Sequence, residues 1–124
     1  MKKVYVASPY TQGDPEANVR RQIDAGEELI NAGFIPYLPL LSHYQHIVHP
    51  HDYETWCRLD NAWVKSCNAL LRLPGESKGA DDEVMLAFKL GIPVYHSIED
   101  LIKYFPLLPN SYRQNVVETE AEAI

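Results

Sequence analysis

The chain has 124 residues, 46% hydrophobic and 23% charged, enough to bury the core of one ordinary domain. Its net charge of −6 argues against a nucleic-acid polymer as partner, although a small anion can still be held by a few backbone N–H groups. Two cysteines, Cys57 and Cys67, make no disulfide framework. The apolar start breaks at Ser8-Pro9, far short of a membrane span, and with so few cysteines a reducing cytoplasm is the expected setting.

Short apolar runs alternate with helical patterns. "KVYVA" (3–7) reads as a first strand that ends at Ser8-Pro9. The following loop, "SPYTQGD", has one glycine and lacks the dinucleotide fingerprint; Ser8, Tyr10 and Thr11 lie in it. From Pro15 to Ala32, Val19, Ile23, Ala25, Leu29 and Ile30 recur at helical spacing, and Gly33 supplies the stop. "FIPYLPL" (34–40) is a second extended segment whose prolines suit an edge strand.

"SHYQHIVHPHDY" (42–53) carries four histidines. His43, His46 and His49 are spaced by three, as metal ligands on one helical turn are, but Pro50 interrupts and no recognised ligand pattern is completed. A lid over a crevice is the preferred reading, with His43 the histidine placed to face a ligand. No metal or other cofactor is expected.

Residues 52–67 read as a second helix, on which Trp56, Asp60, Trp63 and Val64 fall on one stripe. Asp60 therefore lies among apolar groups rather than on the solvated face. Desolvation there raises a carboxyl pKa and suits a general acid; a salt bridge to Arg20, Arg58 or Lys65 would lower it instead.

"NALLRLP" (68–74) is a third strand with almost no polar alternation, hence buried on both faces. Then comes "LPGESKGADDEV" (73–84), with a helix from about Gly79 to Leu90 closed by Gly91. Ser77, Gly79 and Ala80 form a small turn before that helix, able to bind an anion or simply to cap the helix. It is not a P-loop. Of the three acids that follow, Asp81 and Asp82 read as a solvated helix start. Glu83, at the end of the first turn, either offsets the helix dipole with them or points into the crevice as a nucleophile or base. "IPVYH" (92–96) is a fourth strand and 98–105 a last short helix.

The order β-α-β-α-β-α-β-α predicts a parallel sheet with helices on both faces, and a ligand crevice at the carboxyl ends of the strands. Segments 8–14, 40–52, 74–83 and 96–98 should line it. Two carboxylates there, one protonated and one ionised, are the usual equipment for breaking a glycosidic bond.

Taken together, "KVYVASPY", "RLDNAWVKSCNALL", "SKGADDE" and "AFKLGIPVY" resemble the nucleoside 2-deoxyribosyltransferase superfamily, including the deoxynucleoside-monophosphate N-glycosidases. The most specific element is the Ser-x-Gly-x-x-x-Glu spacing after an apolar strand. The resemblance implies a flavodoxin-like (Rossmann-like) three-layer α/β sandwich with a four- or five-stranded parallel sheet over residues 1–105, followed by a tail (106–124). It implies cleavage or transfer at the N-glycosidic bond of a nucleoside or its 5′-monophosphate, in a homodimer or larger homo-oligomer. Glu83 matches the nucleophile, Asp60 the acid near the base, and Tyr5 the strand tyrosine that contacts the nucleophile. Ser77 and Gly79 match the 5′-phosphate turn, with Ala80 beside them; Ser8, Tyr10 and His43 complete the expected substrate contacts. The loop 8–14 and the histidine segment depart from the superfamily pattern, and Asn110 and Ser111 are the candidates to reach a neighbour's site. The competing expectation is a nucleotide-binding module without turnover, and a weaker one a metal-dependent hydrolase built on the histidines.

Overall fold

The computed structural model describes residues 2–105; the expected tail, with Asn110 and Ser111, lies outside the described residues. Four strands, β1 (Lys3–Ala7), β2 (Ile35–Tyr37), β3 (Ala69–Arg72) and β4 (Val94–Tyr95), form one parallel sheet in the order β2-β1-β3-β4. Helices α1 (Pro15–Asn31), α2 (Ser42–Val48), α3 (Tyr53–Ser66), α4 (Lys78–Lys89) and α5 (Ile98–Tyr104) connect or follow them. This is the flavodoxin-like three-layer sandwich, with four strands.

Alternation along β1 divides the core in two. Val4 and Val6 pack with Ala25 and Leu29 of α1, Leu71 of β3, and Leu101 and Phe105 at the end of the described chain. Tyr5 and Ala7 face the other layer, with Val64 of α3, Leu70 of β3, and Ala80 and Ala87 of α4. Every residue of β3 is buried, as its unbroken apolar run requires. β2 is an edge strand and holds Pro36 opposite Val4.

The order of strand addition reverses between β1 and β3, which run parallel and pair from Val4↔Ala69 to Ala7↔Arg72. The loop after Ala7 and the turn after Arg72 therefore open side by side at the carboxyl end of the sheet.

Several elements differ from expectation. Helix α1 is opened by Asp14, which accepts from the Glu16 N–H at 3.1 Å, and by Pro15 in its first turn, and it stops just before Gly33 as expected. Its buried arc, however, is Val19, Gln22, Ala25, Gly26 and Leu29, while Ile23 and Ile30 are exposed. Gln22 takes the centre because its amide bridges three chain segments. Its Nε2 donates to the Val6 carbonyl (3.1 Å) and to the Ser8 hydroxyl (2.8 Å), and its Oε1 accepts from the Leu40 N–H (2.9 Å). Trp63, expected in the buried stripe of α3, is half exposed and stacks on Tyr37 with ring centroids 4.4 Å apart.

A short 3-10 turn (Pro39–Leu41) leads into the histidine stretch, whose residues Ser42–Val48 form helix α2. Helix α4 begins one residue earlier than expected, since Ser77 is its N-cap and accepts from the Ala80 N–H at 3.1 Å. That cap puts Glu83 in the second turn of α4, not the first.

Candidate active site

A cleft of about 510 Å³ opens over the carboxyl ends of β1 and β3. Ser8 and Tyr10 come to it from the first loop, His43 and His46 from α2, and Trp56 and Asp60 from α3. Ser77, Gly79, Ala80 and Glu83 line the side formed by α4. Every residue expected to contact substrate thus reaches one cavity, drawn from four separate stretches of sequence. Of the segments expected around the cleft, 96–98 is not among its lining residues.

Tyr5 is placed differently. It is fully buried in β1, beneath the cleft rather than in its wall, and its hydroxyl donates to Glu83 Oε2. Burial first, then the nearby Glu83 and Asp60 charges, push the Tyr5 phenol far above its ordinary range. The phenol stays neutral, so its one proton is always available to the Glu83 carboxylate.

Both carboxyls are raised. Burial takes Asp60 to about 7. The salt bridges weighed for it do not form: the ion pairs among the described residues are His43–Glu16, Arg72–Asp81 and Lys78–Asp82. Burial takes Glu83 to about 8, with the Asp60 charge adding to the rise while the Tyr5 hydrogen bond and the Arg72 charge pull it down. Both carboxyls are thus raised into the neutral range, rather than one being ionised and the other protonated throughout. The two influence each other, so they titrate as a pair and a single proton is shared between them near neutral pH.

Asp81 and Asp82 are more than a solvated helix start. Asp81 accepts from Arg72 Nη2 at 2.9 Å, and Asp82 from Lys78 Nζ at 3.0 Å across one turn of α4. Arg72 is buried at the end of β3 and also donates to the Gly75 carbonyl (2.8 Å) and to the Leu73 carbonyl, which fixes the turn leading to Ser77.

On the opposite wall, the Tyr10 hydroxyl meets His43 Nδ1 at 2.5 Å, and His43 Nε2 meets Glu16 Oε1 at 2.8 Å. His46 is occupied elsewhere, its Nδ1 accepting from the Trp56 indole at 2.8 Å and the His51 N–H at 3.2 Å. His43 and His46 do share a helix, but no group of three or more His, Cys, Asp or Glu is arranged for a metal among the described residues.

Glu16, Gln22, Trp56 and Arg72 escaped the sequence reading as parts of this site. Only Trp56 left a signal, as an aromatic one helical turn before Asp60; the others depend on contacts that the fold creates.

A family model described as "Domain of unknown function (DUF7768)" matches residues 2–97. Among curated proteins, none matches the chain. Among solved structures, the chain is similar to a 2-deoxyribosyltransferase from the psychrotolerant bacterium Bacillus psychrosaccharolyticus. The identity is 20%, the TM-score 0.56, and the match covers 74% of this chain and 69% of that one. At that identity the likeness is one of fold. Among the described residues, no helix is long and apolar enough to cross a membrane.

Proposed function

The chain belongs to the DUF7768 family, and we propose that it cleaves or transfers at the N-glycosidic bond of a nucleoside or nucleoside 5′-monophosphate, with a 2′-deoxy sugar preferred. The observation that carries this reading is the pair of carboxyls, Glu83 and Asp60, in one cleft, with Glu83 held from below by Tyr5.

In this mechanism Asp60 gives its proton to the departing base while ionised Glu83 attacks the anomeric carbon. Tyr5, donating to Glu83, stabilises the charge and aims the carboxylate. Ser77, Gly79 and Ala80 bind the 5′ end. Capping uses a lone pair of the Ser77 oxygen and leaves its hydroxyl proton for a ligand at the start of α4. Ser8, Tyr10 and His43 complete the contacts. Transfer and hydrolysis differ only in what reaches the glycosyl-enzyme. The fold neighbour's name, a 2-deoxyribosyltransferase, agrees with this class of chemistry. The acting form is a homodimer or larger homo-oligomer, which sedimentation equilibrium tests.

The test is free-base release from ribo- and 2′-deoxyribonucleosides and their 5′-monophosphates, run with wild type and Glu83→Gln. Release by wild type alone supports Glu83 as nucleophile. Equal release by the variant removes that assignment.

One observation favours a second reading, a nucleotide-binding module without turnover. Glu83 at about 8 is mostly protonated in the free protein, and a neutral carboxyl is a hydrogen-bond donor rather than a nucleophile. Tight binding of one compound with no base released from any would favour the module.

A further inference from the structure

Three side chains that the proposed mechanism uses only for contact, or not at all, form a continuous chain. Tyr10 lies in the first loop, His43 in the first turn of α2 and Glu16 in the first turn of α1. The partners fix its direction. A carboxylate only accepts, so the neutral imidazole carries its proton on Nε2, toward Glu16; Nδ1 is then an acceptor, and the Tyr10 hydroxyl donates to it. The phenol's single proton is engaged, and the lone pairs of its oxygen are left for the cleft that Tyr10 lines.

Hydroxyl, imidazole and carboxylate in this order are the parts of a base-activated hydroxyl. The chain also runs outward: the His43 side chain is 13% exposed and that of Glu16 57%, so a proton taken at the cleft has an outlet to bulk water. The frame around it is built to hold. Asn18 Nδ2 donates to the Tyr10 and Gln12 carbonyls, each at 2.8 Å, and buried Gln22 ties Ser8 to Leu40 just ahead of α2. Burial and the Glu16 charge both raise the Tyr10 phenol, which keeps it a neutral hydroxyl that passes protons rather than a phenolate.

We propose that Tyr10, backed by His43 and Glu16, is the general base that deprotonates the acceptor resolving the glycosyl-enzyme, with Tyr10 touching the acceptor and the other two acting as positioning residues. This rests on the reading of Glu83 as nucleophile. With water as acceptor, its oxygen bonds to the anomeric carbon. The bond from that carbon to the Glu83 oxygen breaks, and the electron pair returns to the carboxylate. The water proton moves to the Tyr10 oxygen as the Tyr10 proton moves to His43 Nδ1. The Nε2 proton passes to Glu16 and on to solvent; Asp60, which gave its proton to the base, takes one up from solvent in its place, and exchange with solvent returns His43 to its Nε2–H form before the next turnover.

The test is rapid-quench base release, with intact-mass analysis, on the compound that the nucleoside panel shows to be cleaved, using wild type, Tyr10→Phe, His43→Gln and Glu16→Gln. In Tyr10→Phe, one equivalent of base should still appear in a burst, its single-turnover rate falling far less than the steady state. Steady-state turnover should then fall by about 100-fold or more, the scale of a lost general base. The sugar adduct should accumulate on Glu83. His43→Gln should behave alike, and Glu16→Gln should show the same pattern with a smaller fall. Unchanged steady-state turnover in Tyr10→Phe, or a single-turnover rate that falls as far as the steady state, overturns the relay and leaves the nucleophile reading intact. No base from wild type with any compound overturns both.

Discussion

At the residue scale, Glu83 and Asp60 set opposite demands on one shared proton. Bond cleavage needs Glu83 ionised and Asp60 protonated, which is one arrangement of the singly protonated pair. At low pH both are protonated and at high pH both are ionised, so kcat/KM should trace a bell with its maximum between about 7 and 8. Asp60→Asn should erase the alkaline limb, because no acid remains to be lost there; an unchanged profile would remove Asp60 from the chemistry. The same shift makes a stability prediction. Glu83 rises from 4.5 in the unfolded chain to about 8, so the folded state binds the proton more tightly. Its contribution favours folding most below about 4.5, declines as pH rises to about 8, and is flat beyond. Glu83→Gln should therefore melt a few degrees higher than wild type at pH 9 and about level with it at pH 4, by thermal unfolding. A nucleophilic carboxylate kept at a cost to the fold behaves in this way; a variant less stable at pH 9 would assign Glu83 a structural role.

At the element scale, two turns hold the mouth of the cleft together. Gly75, between β3 and α4, has φ of 120°, and a Cβ there would meet Pro9 Cγ of the first loop at 2.8 Å. Gly75→Ala should cost about 1–3 kcal/mol from backbone strain alone. It should also lower activity beyond what the stability loss explains, since both loops carry site residues; a variant of wild-type stability would show that the turn relaxes freely. The turn's glycine was visible in "LPGES", but its contact with Pro9 was not, because 66 positions of chain separate them. That contrast runs through the molecule. Strands β1 and β3, the Gly33 and Gly91 stops and the Ser77 cap follow from local pattern, and so the sheet and the place of the cleft were legible. Gln22 was not, since a polar residue at the centre of a buried arc looks like an error of pattern until its three partners are known. Glu16 and His43 stand 27 residues apart in sequence and meet only because α1 and α2 both open at the same end of the sheet.

At the scale of the whole molecule, the charge of −6 that argued against a polymer partner also bears on which small substrate is preferred. Among the cleft residues Asp60, Asp82 and Glu83 are acids and Lys78 is the one lysine or arginine, itself paired with Asp82. A nucleoside 5′-monophosphate approaches as an anion against this field, and a nucleoside does not. Salt screens such repulsion over a Debye length of about 10 Å at 0.1 M. For a monophosphate, kcat/KM should therefore rise a few-fold between about 10 and 150 mM salt, while the value for the matching nucleoside stays level. The backbone N–H groups at the start of α4 act only at contact and leave this long-range term in place. If kcat/KM for the monophosphate instead falls with salt, the local field of Lys78 and the α4 N-terminus outweighs the net charge, and the Ser77–Ala80 turn is the dominant phosphate site.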